Sequence, residues 1–202
     1  MFIELTEIIR CPNPHPESYL VAAPIVMDGR RIVRGVVGCP ECKAEFPIVE
    51  GVAYFAGGGS EPGAPREGGA ASPAYDASAL AAFLNLSGPG GYAVLAGAAA
   101  RFGAEIGTAV PGVHFVAVNP PPGVAPSPTL TLLRAPRGLP FKSASVRAVA
   151  LGADLAAEPW LGEAARILLP GLRLVVEGER AEPAEIEELA RGAGMFVGVR
   201  VR

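Results

Sequence analysis

Glu163-Ala164-Ala165-Arg166-Ile167-Leu168-Leu169-Pro170-Gly171-Leu172-Arg173-Leu174-Val175-Val176 reads as a helix, a stop and a strand. Helix formers run over residues 161–169. Pro170 lacks an N–H and Gly171 accepts a turn, so the pair ends the helix. The apolar run 172–176 then reads as a buried strand. Working outward, the alternation repeats. Residues 77–86 read as a helix with Asp76 or Ser78 near its start. The breaker Gly88-Pro89-Gly90-Gly91 precedes a strand at 92–96, ended by Gly97, and 98–106 is helical. Strands follow at 113–118, 129–133 and 146–151, the first ended by Asn119-Pro120-Pro121-Pro122. Residues 183–193 read as a helix with Pro183 in its first turn and Gly194 after its end, and 196–201 as a closing strand. Short apolar strands alternating with helices predict an α/β fold with a mostly parallel sheet and right-handed crossovers.

Residues 1–56 have a different grammar. Cys11-Pro12-Asn13-Pro14-His15-Pro16 is a turn, because its prolines forbid a helix or central strand. Strands at 19–26 and 31–37 flank Met27-Asp28-Gly29-Arg30, an Asp-Gly hairpin signal. Residues 57–76, rich in Gly, Pro and Ala, read as a linker, leaving 77–202 as a second domain. Half of the 202 residues are hydrophobic and 18% are charged, which supplies a core and excludes a wholly disordered chain. The net charge of −3 gives no global reason to expect nucleic acid. No apolar run reaches a membrane span, and the first residues lack a secretory pattern. Three cysteines, two of them in one C-x-x-C, suit a cytoplasmic protein with a small metal site better than a disulfide framework.

Cys39-Pro40-Glu41-Cys42 is one good zinc knuckle, and Cys11 with His15 four residues on supplies a second pair. The other readings of these residues are a metal-free domain of small buried thiols, with Cys11 beside Cys39, and a redox C-x-x-C. If zinc binds, its ligands are Cys11, His15, Cys39 and Cys42, since His114 belongs to the second domain.

The apolar run into Cys11-Pro12, the hairpin, and Cys39-x-x-Cys42-x-x-x-Phe46-Pro47-Ile48-x-x-Gly51-Val52 resemble the small zinc-ribbon-like family that includes the activator subunit of tRNA and translation-factor methyltransferases. Pro14 stands where that family has the second Cys of its first knuckle. The resemblance implies a domain that binds and stabilises a methyltransferase through an edge strand and apolar surface.

Residues 77–202 resemble a class I S-adenosylmethionine-dependent methyltransferase, a Rossmann-like fold. The resemblance rests on Pro89-Gly90-Gly91 leading into Tyr92-Ala93-Val94-Leu95-Ala96-Gly97, on Leu139-Pro140-Phe141 before 146–151, on the stretch 163–176, and on Gly192-Ala193-Gly194-Met195-Phe196. The family's cofactor residues are thin. Gly97 is followed by Ala98-Ala99-Ala100, and Asn119 stands where an acidic ribose acceptor belongs. Gly97 and Asn119 are thus vestigial cofactor positions. Between Glu105 and Asp154 there is no acid, while Arg134, Arg137, Lys142 and Arg147 give a local charge of +4. S-adenosylmethionine, a sulfonium, disfavours such surroundings, and each lost polar contact costs about 1–3 kcal/mol.

These readings together predict a non-catalytic methyltransferase-like scaffold or binding partner with a fused activator-type domain, with a candidate zinc site and without S-adenosylmethionine. The alternative is a methyltransferase with an atypical cofactor pocket. Arg134 and Arg137 read either as an anion site or as a surface paired with Glu182, Glu185, Glu187 and Glu188. His114 reads as a packed residue and Trp160 as a core cap. The strand at 196–201 is expected to leave an edge guarded by Arg200 and Arg202, with apolar surface near it covered by the N-terminal domain or by a second copy in a homodimer. The other expected partner is a protein, such as a methyltransferase.

Overall fold

The computed structural model describes residues 1–55, 75–178 and 184–201. Most of the expected linker, as well as Glu182, Pro183 and Arg202, lies outside these. The strands are β1 (Val21–Asp28), β2 (Arg31–Gly38), β3 (Glu45–Val49), β4 (Val52–Tyr54), β5 (Tyr92–Ala96), β6 (His114–Val118), β7 (Leu130–Arg134), β8 (Val146–Leu151), β9 (Leu168–Glu177), β10 (Ile186–Gly192) and β11 (Met195–Arg200). The helices are α1 (Ala77–Leu84), α2 (Gly103–Ala109) and α3 (Trp160–Ile167), with 3-10 turns at Ile3–Glu7, Gly97–Phe102 and Ala153–Leu155.

All these strands join one sheet in the order β1-β2-β3-β4-β7-β6-β5-β8-β9-β11-β10. The expectation of a mostly parallel sheet holds in part. The six strands from β4 to β9 in that order are mutually parallel, while the β1–β4 meander and the β9-β11-β10 end are antiparallel. The order β7-β6-β5-β8-β9 is doubly wound, with its direction reversing at β5.

Successive residues of the parallel strands face opposite layers. Ala93, Leu95, Phe115, Ala117, Ala148 and Ala150 pack with Leu80, Leu84 and Ile106 of α1 and α2. Val94, Val116, Val118, Val149 and Leu151 pack with α3 and with Met1, Leu5, Ile9, Leu139 and Phe141. No α-helix lies between β6 and β7 or between β7 and β8. The N-terminal residues Met1, Leu5 and Ile9 pack on the face those crossovers leave open.

Docking of the N-terminal strands is specific. Ala53 of β4 pairs with Leu133 of β7, and Phe55 N–H donates to Arg134 O at 2.7 Å. Phe2 stacks on His114, with ring centroids 4.4 Å apart. His114 Nε2 lies 2.9 Å from Thr131 Oγ1, so this residue is packed, as expected. Burial is the main cause that pushes its pKa down to about 4 from 6.5, with Glu4 opposing and Arg31 adding. The unfolded chain therefore takes up a proton at His114 between pH 6.5 and 4 that the folded chain refuses, and stability falls over that window. Allowing for partial exposure, wild type is expected to lose about 2 kcal/mol more than His114→Gln between pH 7 and pH 4. Urea denaturation at both values measures this, and parallel losses would remove His114 as the cause.

Three further expectations change. The expected helix at 183–193 is, in its described part, a turn followed by strand β10. Helical propensities of Glu, Leu, Ala and Arg amount to tenths of a kcal/mol each, whereas the open side of β11 offers a complete ladder. Ala193 (φ 52) and Gly194 (φ 75) close that hairpin in the left-handed geometry such turns need. The 196–201 strand is consequently not an edge. It is paired by β9 on one side and β10 on the other. Arg200 reaches inward to Arg166 O and Leu168 O rather than guarding solvent, so the edge argument for a homodimer falls. Finally, α3 ends at Ile167, and residues 169–172 loop out of the β8–β9 ladder around Pro170 and Gly171 (φ 77). Trp160 opens α3 and is buried against the core as expected.

Candidate metal centre and ligand crevice

The segment from Cys11 to Ser18 forms a loop closed by Cys11 N–H donating to Ser18 O (3.1 Å) and by a bridge between Arg10 and Tyr19. Its prolines prevent it from continuing the ladder. The second knuckle is a turn in which Lys43 N–H donates to Cys39 O (3.0 Å), made possible by the left-handed Lys43 (φ 60). The two turns bring together all four expected ligands: one ligand atom from each of Cys11, His15, Cys39 and Cys42 lies within 4.8 Å of the others.

The edges of this cluster fit a tetrahedral ion. Zn–S bonds of about 2.3 Å place two sulfurs about 3.8 Å apart, and a sulfur and an imidazole nitrogen about 3.5 Å apart. Cys11 Sγ and Cys42 Sγ are 3.7 Å apart, and Cys39 Sγ lies 3.4 Å from His15 Nε2. His15 Nδ1 sits 2.7 Å from Pro16 O, an arrangement that puts the proton on Nδ1 and leaves Nε2 free to ligate. Asn13 Nδ2 donates to Cys42 Sγ at 3.3 Å. That donor is the main cause lowering the Cys42 thiol to about 6, toward the thiolate a metal needs. At Cys39 burial opposes ionisation, but the backbone N–H groups of Cys42 and Glu41 hold the thiol below its ordinary value. Burial pushes Cys11 up to about 12. Asn13 went unnoticed in the sequence, although it is the lone side-chain amide between the two prolines.

At the carboxyl ends of β5 and β8, the reversal of strand order marks the crevice where doubly wound sheets take ligands. Gly97 sits there with φ +60, and a Cβ on it would come within 2.6 Å of Asp154 Oδ2. Asp154 Oδ1 accepts the Ala98 N–H at 2.8 Å. Glu177, at the end of β9, accepts from Arg101 Nη2 (2.6 Å), from the Tyr75 hydroxyl, and from Ala153 N–H (3.2 Å). Burial, followed by the hydrogen bond to Glu177, raises the Tyr75 pKa, so the phenol stays a donor. Asn119 (φ 50) spends both ends of its amide on Ala135: Nδ2 donates to its carbonyl (2.7 Å) and Oδ1 accepts its N–H (2.8 Å). The structure thus places Gly97 and Asn119 at strand ends, each occupied by the chain itself. Sequence reading missed Asp154, Glu177, Arg101 and Tyr75, because their partners lie 24 to 102 residues away.

The basic run is neither an open anion site nor paired with the glutamates of residues 185–188. Arg134 donates to Pro120 O (2.8 Å), Lys142 to Glu7 O (2.6 Å), and Arg147 to Ser87 O (2.6 Å) and Gly88 O (3.1 Å). Arg137 is exposed. Glu185 and Glu188 instead pair with Arg200 and Arg191.

No helix among the described residues is long and apolar enough to cross a membrane. No family model and no curated protein matches the chain. Solved structures show a partial similarity to it. One belongs to the complex between the Haloferax volcanii Trm112 methyltransferase activator and a methyltransferase, at 22% identity and TM-score 0.41 over 50% of each chain. The chain thus spans half the length of that match. The antibiotic-resistance methyltransferase Kmr matches at 16% identity and TM-score 0.45, over 65% of this chain and 96% of its own. Geranyl diphosphate methyltransferase in complex with SAM matches at 13% identity and TM-score 0.45, over 62% of this chain and 84% of its own. The chain has an α/β fold built on one mixed sheet, with a Cys/His group able to hold a metal ion.

Proposed function

We propose that the chain is a non-catalytic methyltransferase-like scaffold carrying its own zinc-binding activator-type unit. Residues 1–56 are that unit, 77–202 the methyltransferase-like body, and 57–76 the connection. The observation that carries the non-catalytic reading is the seat of Asp154. Its carboxylate takes the Ala98 N–H and crowds Gly97, where a nucleoside cofactor would need close backbone approach. Asn119, committed to Ala135, supports the same reading.

The edge strand that an activator-type unit offers to its partner is here paired in cis, β4 upon β7. A further protein partner meets the outer edge instead. Val21, Ala23 and Ile25 of β1 line an open groove of about 390 Å³ with Val36 and Pro40. Free thiols gathered for a metal rather than a disulfide support a cytoplasmic location.

Titration calorimetry tests the reading. Neither S-adenosylmethionine nor its demethylated product is expected to give saturable heat. Saturable binding of either would overturn it and favour a methyltransferase with an atypical pocket.

A further inference from the structure

The loop that carries Cys11, Asn13 and His15 is bounded by two charged residues that leave the N-terminal unit altogether. Arg10 lies 3.6 Å from Glu163 of α3, and its N–H donates to Pro140 O at 3.0 Å. Glu17, at the other end of the loop, accepts from Ser143 N (3.0 Å) and Ser143 Oγ (3.1 Å) and lies 3.9 Å from Arg166. The two ends also face each other, Arg10 Nη1 to Glu17 Oε2, at 3.8 Å. Glu163 and Arg166 in turn hold the receiving segment: Glu163 accepts Leu139 N–H, and Arg166 donates to Leu139 O and Phe141 O. Backbone bonds complete the seam, with Lys142 N–H donating to Ile8 O at 2.8 Å and Ile9 bridging Phe141.

From this geometry we infer that the metal loop is also the clamp between the two parts of the chain, so that metal occupancy sets how firmly residues 1–55 sit on the methyltransferase-like body. The inference rests on the zinc reading proposed above. Among the described residues, the loop has few apolar residues of its own to define it: Cys11 is buried, but Asn13, His15 and the prolines are half-buried or exposed. A metal held by Cys11 and His15 from one end and by Cys39 and Cys42 from β2's far side fixes the loop's path, and hence the separation and direction of Arg10 and Glu17. Without it, both residues keep their charges but lose the geometry that aims them at Glu163, Arg166 and Ser143. Partly exposed ion pairs of this length contribute most when both partners are pre-positioned. The pairing of β4 with β7 is two residue pairs long, so at the loop the seam rests on these polar contacts beside the shared apolar core.

The experiment is hydrogen exchange on the full chain, preceded by elemental analysis. The protein is expected to carry one zinc. Stripping it with a chelator is expected to speed exchange at the Arg10, Lys142 and Ser143 amides about tenfold or more, while Val94, Val116 and Val149 of the central strands stay unchanged. Restoring zinc restores protection. Glu17→Ala is expected to keep its zinc yet exchange Ser143 quickly with zinc present, and to lose most of the zinc dependence at that amide. Unchanged exchange at the three amides after confirmed zinc loss overturns the clamp while leaving the metal site standing. Equal zinc dependence at Ser143 in wild type and Glu17→Ala also overturns it. Absence of zinc from protein purified without chelator overturns the metal site itself and the clamp with it, and the elemental analysis shows that case first.

Discussion

Cys42→Ser is expected to abolish metal binding and lower the melting temperature by about 10–20 °C. Cys42 is exposed, and a surface substitution that removes nothing else shifts stability by only about 0.5 kcal/mol. If Cys42 is a ligand, the change instead removes much of a metal-binding free energy that amounts to about 10–16 kcal/mol in isolated zinc peptides. The apolar core beneath the site, Leu20, Val37, Phe46 and Phe55, persists in the variant, so a loss of about 5 kcal/mol is the reasonable share. For a chain of this size each kcal/mol moves the midpoint by about 2–4 °C. Calorimetry with and without chelator measures the effect. A Cys42→Ser protein that melts with wild type, or a wild type indifferent to chelator, rules the metal out.

Glu177→Ala is expected to cost about 3–5 kcal/mol, the usual penalty when one member of a buried ion pair is deleted. Its carboxylate is the shared acceptor for the Arg101 guanidinium, the Tyr75 hydroxyl and Ala153 N–H, and its side chain is 11% exposed. Removing it leaves a guanidinium, 22% exposed, without its counter-ion, and a half-buried phenol without an acceptor. Arg101 stacks over Phe102, with its guanidinium carbon 4.4 Å from the ring centroid, and cannot swing freely to water. Tyr75→Phe, which deletes one donor and leaves the ion pair, is expected to cost about 1 kcal/mol. Urea denaturation at pH 7 orders the two. A Glu177→Ala cost no larger than that of Tyr75→Phe would mean that solvent already reaches the network.

The Asp154 and Glu177 networks were out of reach of the sequence for one reason. A carboxylate is informative only beside its partners, and the chain brings these together from the ends of β5, β8 and β9. Asp154 entered the sequence reading only as the end of an acid-free run. The basic residues within that run were misread the same way. Their charge was visible, but the backbone carbonyls that receive Arg134, Lys142 and Arg147 carry no signature in any side chain.

What the sequence by itself determined is local: the strands at 92–96, 113–118 and 146–151 from their apolar runs, the Asp28-Gly29 hairpin, and the four Cys and His residues that the fold gathers into one group. Tertiary structure alone decided whatever depended on an open sheet edge. Residues 186–192 have helical composition but became β10, because β11 presented unpaired N–H and C=O groups that only another strand satisfies. Residues 52–54 joined β7 for the same reason, which turned two expected domains' strands into one continuous sheet. A ladder's hydrogen bonds belong to pairs of segments, so no segment's own residues announce them.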